Sequence, residues 1–190
     1  MDMLQITRLD DIDLSGCHLD DVKMSFLFKN LTRAKSLSKL ELAGNEFGIV
    51  GIQSMVPFLK RAQNISMLEI SDNQNINTEC FNLLVEALQI GGTIKILWLE
   101  SCNIDDITAL EQYFLPRLRE LGLCSNNIQR FPSLENYTNL EELWLQESTV
   151  GIEGCRSIAK LLQKDGSNME HLHLDSTDIG VMRLKCLPNL

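Results

Sequence analysis

One short phrase recurs seven times along this 190-residue chain. It reads apolar-x-x-apolar-x-apolar-x-x-(Asn, Cys, Ser or Thr), followed by a further apolar residue. The copies begin at Leu9, Leu37, Ile65, Ile94, Leu118, Leu140 and Met169, so successive starts are 28, 28, 29, 24, 22 and 29 residues apart. Leu37–Phe47 (LSKLELAGNEF) and Leu118–Ile128 (LRELGLCSNNI) are the clearest. Within each copy, apolar residues two apart, such as Leu40 and Leu42, point to one face of a short strand. The segments Ile52–Arg61, Thr78–Leu88 and Gly154–Lys164 carry apolar residues at helical spacing instead. Phe81, Leu84, Val85 and Leu88 share one helix face, as do Ile158, Leu161 and Leu162. Each unit is therefore strand, turn, helix. One unit cannot bury both apolar faces, but stacked units can. The expectation is an α/β solenoid of about seven such units, with a parallel sheet on the concave side and helices on the convex side.

The ninth position of the phrase reads Cys17, Asn45, Asn73, Cys102, Asn126, Ser148 and Thr177. It falls where the chain leaves the strand and backbone groups can no longer all join a ladder. A small polar side chain directed inward satisfies them, and Asn does so best because it both donates and accepts. In the third unit Asn73 is followed by Gln74-Asn75 before Ile76, one residue too many, and a local bulge is expected there.

Seven copies of this phrase resemble the leucine-rich repeat family, with residues 1–190 forming one such domain. The 28–29-residue units are similar to the ribonuclease-inhibitor subclass, on the glycines and apolar helix positions of Asn45–Lys60 (NEFGIVGIQSMVPFLK). The units starting at Ile94 and Leu118 are similar to a shorter intracellular subclass. The resemblance implies inhibitors, sensors and adaptors that act by protein–protein contact, without a cofactor. A small-GTPase regulator of the Ran type shares the subclass, but its motif cannot be matched residue by residue here. The sensor portion of a longer receptor or ubiquitin-ligase subunit is a further alternative.

A chain of this length supports one core without staples. No apolar run reaches the 18 residues of a membrane span. The opening MDMLQITRLDDIDL is acidic and lacks an apolar h-region, so it does not read as a secretory signal. The sequons at Asn30, Asn64 and Asn136 then read as chance. The six cysteines include no CxxC pair and no terminal cluster. They read as reduced thiols of a cytoplasmic or nuclear protein. Cys124 is the one whose register exposes it, as an inert thiol rather than a reactive one.

The net charge is −9, and the register places it. Positions three, five, seven and eight of the phrase face the concave side or its rim. They hold Asp11, Asp13, Glu41, Glu69, Asp72, Glu100, Glu120, Glu142, Glu147 and Asp175, against a single lysine, Lys39. Lys29, Arg33, Lys35, Lys60, Arg61, Arg156, Lys160 and Lys164 fall on the helical side. A single-sign concave surface focuses its field on oppositely charged partners. The expected partner is a basic protein or peptide, while nucleic acid is repelled from this face. The competing explanation is that the acids only keep an open sheet soluble, which leaves unexplained why the bases avoid it.

Both tryptophans occupy position five, Trp98 in the fourth unit and Trp144 in the sixth, with Gly122 between them. Strands about 4.8 Å apart put the indoles roughly 10 Å apart. The glycine is expected to leave a slot rimmed by Glu100, Glu120 and Glu142. Exposed indoles anchor interfaces, and an indole ringed by carboxylates suits Arg or Lys. The alternative is that the rings fold down on neighbours such as Ile96. The candidate partner-binding residues are therefore Asp13, Glu41, Glu69, Trp98, Glu100, Glu120, Gly122, Glu142, Trp144, His171, His173 and Asp175.

His171, His173 and Asp175 alternate along one strand face. Alternate Cα atoms are ~6.6–7 Å apart, so the three cannot easily meet one ion. Solvated or partner-facing histidines are favoured over a zinc site, and an acidic setting would make binding at this end pH-sensitive. Nothing else points to enzymatic chemistry: there is no GxxxxGK[ST], HExxH or GxSxG, and no carboxylate is marked out by an apolar pocket. Neither end carries a polar cap, and Leu184–Leu190 (LKCLPNL) reads as the approach to an eighth phrase cut at Leu190. Either the array is longer, or self-association covers the ends and makes the chain less soluble than its charge implies.

Overall fold

The computed structural model describes residues 9–31, 34 and 36–178. Arg33, Lys35, Cys186 and the phrase expected to begin at Leu190 lie outside these.

Seven three-residue strands arise at the same two-residue offset of each phrase. They are β1 (Asp11–Asp13), β2 (Lys39–Glu41), β3 (Met67–Glu69), β4 (Ile96–Trp98), β5 (Glu120–Gly122), β6 (Glu142–Trp144) and β7 (His171–His173). They pair in chain order in one parallel sheet. The register is constant: position three runs Asp11, Lys39, Met67, Ile96, Glu120, Glu142, His171, and position five runs Asp13, Glu41, Glu69, Trp98, Gly122, Trp144, His173. Position four points the other way and is buried from Leu40 through Leu68, Leu97 and Leu121 to Leu143. Position six adds Leu42, Ile70, Leu99, Leu123 and Leu145. Each of these side chains contributes about 1.5–3 kcal/mol of burial. Most of them are covered on both flanks by the same position of neighbouring units, which is why the sequence must repeat them.

After each strand the residue at position eight turns left-handed. The φ angles are +63° at Gly16 and Gly44, +58° at Asp72, +50° at Ser101, +54° at Ser125, +56° at Glu147 and +58° at Ser176. The turn leaves the ladder intact, since Gly16, Gly44, Asp72, Ser101, Ser125 and Glu147 each donate an N–H to a carbonyl of the next unit. The position-nine side chain then fills the corner. Asn73 Nδ2 donates to the carbonyls of Leu42, Ile70 and Ser71 at 3.0, 2.8 and 3.0 Å, while its Oδ1 accepts from the Asn45 N–H at 3.1 Å. Asn45 and Asn126 repeat the pattern. Cys102 replaces it with weak thiol contacts to the carbonyls of Ile70 and Glu100, and burial pushes its thiol up to about 12. Cys17 departs from expectation. It is exposed, its thiol donating to Ser15 O, and Asn45 of the second unit bonds the Leu14 carbonyl. In the third unit the extra residue is absorbed as a turn closed by Ile76 N–H to Asn73 O at 3.0 Å. The expected bulge is thus confined to that turn, and the β3–β4 register is undisturbed.

The convex side carries α1 (Asp21–Asn30), α2 (Ile49–Leu59), α3 (Thr78–Gly91), α4 (Ala109–Gln112) and α5 (Gly151–Gln163). α1 packs on α2, α2 on α3 and α3 on α4. α2 and α5 begin three residues before the expected segments. Both starts are fixed by carboxylates from adjacent units. Asp21 accepts from the N–H groups of Gly48 and Gly51 at 2.8 and 2.7 Å, and Asp178 from those of Val150 and Gly151 at 2.8 and 3.1 Å. α3 is capped by Asn77, which accepts from Cys80 N–H. The short units clip the helical layer: the fourth keeps four residues as α4, and no helix follows β5. Buried Tyr137 fills the gap, its hydroxyl donating to Leu110 O at 2.9 Å. Among the described residues no helix is long and apolar enough to cross a membrane.

Candidate functional site

The constant register turns positions three, five and seven into rows across the concave face. At the N-terminal end position five presents Asp13, Glu41 and Glu69 on adjacent strands. Asp13 is held below the ordinary aspartate value by bonds from Ser15, whose N–H donates at 2.9 Å. Glu41 takes the Lys39 ammonium at 2.9 Å, so the face's lysine is engaged by the face itself. Glu69 has no such partner: burial first, then the charges of Glu41 and Glu100, push its carboxyl up. Glu100 is pushed up by burial and by Asp72, and Glu120 by burial and by Glu142. The sequence singles out no carboxylate in this way. Here three are half-sheltered and crowded by like charge: Glu69 beside Glu41 and Glu120 beside Glu142 stand one strand spacing apart in the same row, and Glu100 meets Asp72 of the neighbouring unit.

Three of the bases expected on the convex side are paired with carboxylates there. Lys60 pairs with Glu86 at 2.7 Å, Arg156 with Glu153 at 2.6 Å and Lys164 with Glu135 at 3.0 Å. Arg119, not assigned from sequence, stands just before β5 and pairs with Glu141 at 2.6 Å. A cation thus borders the concave face beside Glu120. Its position two of the phrase was the available signal.

The tryptophan slot is narrower than expected. Gly122 is buried, and a Cβ placed on it would lie 2.9 Å from Glu100 Oε1 and 3.0 Å from Trp98 Cδ1. Trp98 and Glu100 therefore lean over the glycine and cover its floor, rather than leaving it open. Trp144 turns the other way. Its ring stacks on His173, the residue paired with it across β6–β7, with centroids 3.7 Å apart and planes at 14°. Its Nε1–H donates to Glu142 Oε2 at 3.2 Å. His171 is near-parallel to His173 (16°) at 6.3 Å. That distance is close to the along-strand step of ~6.6–7 Å, so the two imidazoles lie side by side rather than face to face. His171 Nδ1 is 3.7 Å from Glu142 Oε1. Asp175 is exposed beyond them, and its carbonyl accepts from Glu147 N–H. Among the described residues no group of three or more His, Cys, Asp or Glu is placed to hold a metal ion. Cys124 is half-buried, its thiol donating to Gln146 Oε1 and pushed up to about 11 by burial. It stays protonated at neutral pH, which makes it inert.

The candidate residues thus form two clusters, an acidic one on β1–β3 and an aromatic one on β4–β7, joined through Glu69 and Glu100. No protein-family model and no curated protein matches the chain. Solved structures do. An internalin (inlF) from Listeria monocytogenes superposes with a TM-score of 0.64 at 21% identity, over 89% of this chain and 42% of that one. The fold is the leucine-rich repeat horseshoe. Internalin C2 from the same organism matches with a TM-score of 0.55 at 18% identity, over 95% of this chain and 76% of that one. The tropomodulin C-terminal domain of Caenorhabditis elegans gives 0.52 at 13%, over 62% and 75%. The chain spans less than half of the first internalin's length. At these identities the likeness carries the repeat architecture alone.

Proposed function

We propose that this chain is a non-enzymatic protein-binding scaffold whose acidic concave face holds a basic protein segment. The observation that carries this reading is the row Asp13, Glu41, Glu69 running into Trp98 and Glu100. It is a line of crowded carboxylates, one neutralised by a lysine, ending against the half-buried indole of Trp98. Burying a cation there relieves repulsion already present in the free protein, so association gains both steering and affinity. The chain is read as a ribonuclease-inhibitor-like array interrupted by two shorter units, acting in the cytoplasm or nucleus. The unpaired thiols of Cys17, Cys80, Cys102 and Cys124 support that setting. Self-association is a second mode. Val22 and Phe26, one turn apart on α1, are 77% and 73% exposed.

The test is fluorescence anisotropy with a labelled eight-residue Lys/Arg peptide and its Asp/Glu counterpart. Only the basic peptide should bind, with an affinity that falls as NaCl is raised. Glu41→Gln with Glu69→Gln, and Trp98→Ala with Trp144→Ala, should each weaken it. Equal affinity for the two peptides, or indifference to both double substitutions, counts against the reading.

A further inference from the structure

We propose that the acidic concave face receives the outer stripe of helix α1 from a second copy of this chain, resting on the reading that this face binds a basic segment. The basic segment is then the chain's own, and the self-association mode acquires a defined contact.

α1 is two-sided. Met24 and Phe28 are buried against the core, and Leu27 packs beside them. Val22 and Phe26 point the other way and are largely exposed. At about 100° per residue, Lys29, Val22, Phe26 and Lys23 fall within an arc of about 120°, in that order, so the two apolar side chains lie between the two lysines. Both lysines are exposed. Lys23 donates to the neutral His18 carbonyl at 2.6 Å, which does not cancel its charge. The acids of the helix start are occupied as caps: Asp20 accepts from Lys23 N–H at 2.8 Å, and Asp21 from the N–H groups of Gly48 and Gly51.

The stripe faces the convex side and is not simply the flank of an outer helix. Val50 of α2 stands at the repeat position of Val22 and is 48% exposed, although α1 and α3 pack on either side of α2. Phe26 sets α1 apart, since the equivalent position of α2 is Ser54.

The concave face is the complement. Asp13, Glu41 and Glu69 stand in one row on β1–β3, and strands ~4.8 Å apart carry that row over about 10 Å. Lys23 and Lys29 are separated by about 9 Å along α1. A helix laid across the strands thus sets its lysines at the two ends of the row, with Phe26 between them. Trp98, next in the row and half-buried, offers apolar surface at that end. Helix and face lie on different sides of one chain, so the contact is heterologous: each copy gives its helix to one neighbour and its face to another.

The experiment is sedimentation velocity of the full chain at low ionic strength over a range of concentrations. The wild type should grow beyond dimers as concentration rises. Val22→Ser with Phe26→Ser removes the stripe, and Glu41→Gln with Glu69→Gln removes the face. Each pair should weaken self-association about tenfold or more with far-UV circular dichroism unchanged. An equimolar mixture of the two variants should form a dimer and nothing larger, because each supplies the part the other lacks. Excess Lys/Arg octapeptide should return the wild type to monomer, and the serine variant should bind that peptide as tightly as the wild type. Undiminished self-association of the glutamine variant, or a mixture that stays monomeric, overturns docking of α1 on the face. So does a peptide that binds without dissociating the wild type. A wild type that is monomeric throughout overturns the docking and the self-association mode, and leaves the basic-segment reading to peptide binding. A peptide that does not bind overturns the basic-segment reading and the docking with it.

Discussion

At the scale of single residues, the ninth position decides how well each corner is sealed. Asn73 and Asn126, both buried, each satisfy three carbonyls and one N–H. Truncation strands those groups, at roughly 1–3 kcal/mol for a buried unsatisfied group. Asn73→Ala and Asn126→Ala should therefore each lower unfolding stability by about 2–4 kcal/mol in urea titration. Cys102→Ala, which gives up only weak sulfur contacts, should cost about 1 kcal/mol. A cost for Cys102→Ala equal to the others would refute this ranking. The corner residue was legible in the sequence because its chemistry is local to the phrase. The exposure of Cys17 was not, since it depends on which neighbour unit supplies a cover. The stack of His173 on Trp144 was legible in principle: both occupy position five of consecutive phrases. The lean of Trp98 and Glu100 over Gly122 was not, because position alone does not choose a rotamer.

Among the elements, strands were easier to place than helices. Three apolar anchors bracket each strand, whereas helix starts here are set by a carboxylate one unit away. Asp21 is the clearest case, lying in α1 but fixing the first turn of α2. Asp21→Ala should lose about 1–2 kcal/mol of stability. Hydrogen exchange of the Gly51 and Ile52 amides should rise more than that of α3. Uniform acceleration throughout the chain would show that the carboxylate is not acting as a cap. The shortened fourth and fifth units were visible as spacing. What replaces the missing helix, a buried Tyr137 bonded to Leu110 O, could not be read from the phrase, because the tyrosine lies outside it.

For the molecule as a whole, the concave charge has a measurable signature. In Glu69, Glu100 and Glu120 the folded state raises the carboxyl above the ordinary glutamate value of 4.5. The folded chain then binds more protons than the unfolded one, so these groups oppose folding above their raised values. That opposition fades as pH falls towards 4.5. Asp106 and Glu135 run the other way. At Asp106 burial raises the value, but bonds from Thr108 and the Arg130 charge outweigh it; at Glu135 the Lys164 bond lowers it. The stabilisation they bring is present above their ordinary values and is lost as pH falls through the depressed ones. Tm should climb as pH falls through the raised values towards 4.5 and drop again as pH falls through the depressed values of Asp106 and Glu135. Glu69→Gln should flatten the climb, and a Tm that drops steadily from pH 7 would contradict this account. The α1 flank makes a separate prediction. Val22→Ser with Phe26→Ser should raise the concentration at which sedimentation velocity shows one species, and no change would remove α1 from any self-contact. Finally, the left-handed turn at position eight sets folding against surface chemistry. Glycine serves it in two units, while Asp72, Ser101, Ser125, Glu147 and Ser176 hold it at a conformational cost of about 1–2 kcal/mol each. A sequence selected for stability alone would drift to glycine at those five sites. The rim is thus locally frustrated, and the turns at which replacement by glycine leaves the chain more stable but a weaker binder would mark the side chains kept for contact rather than for folding.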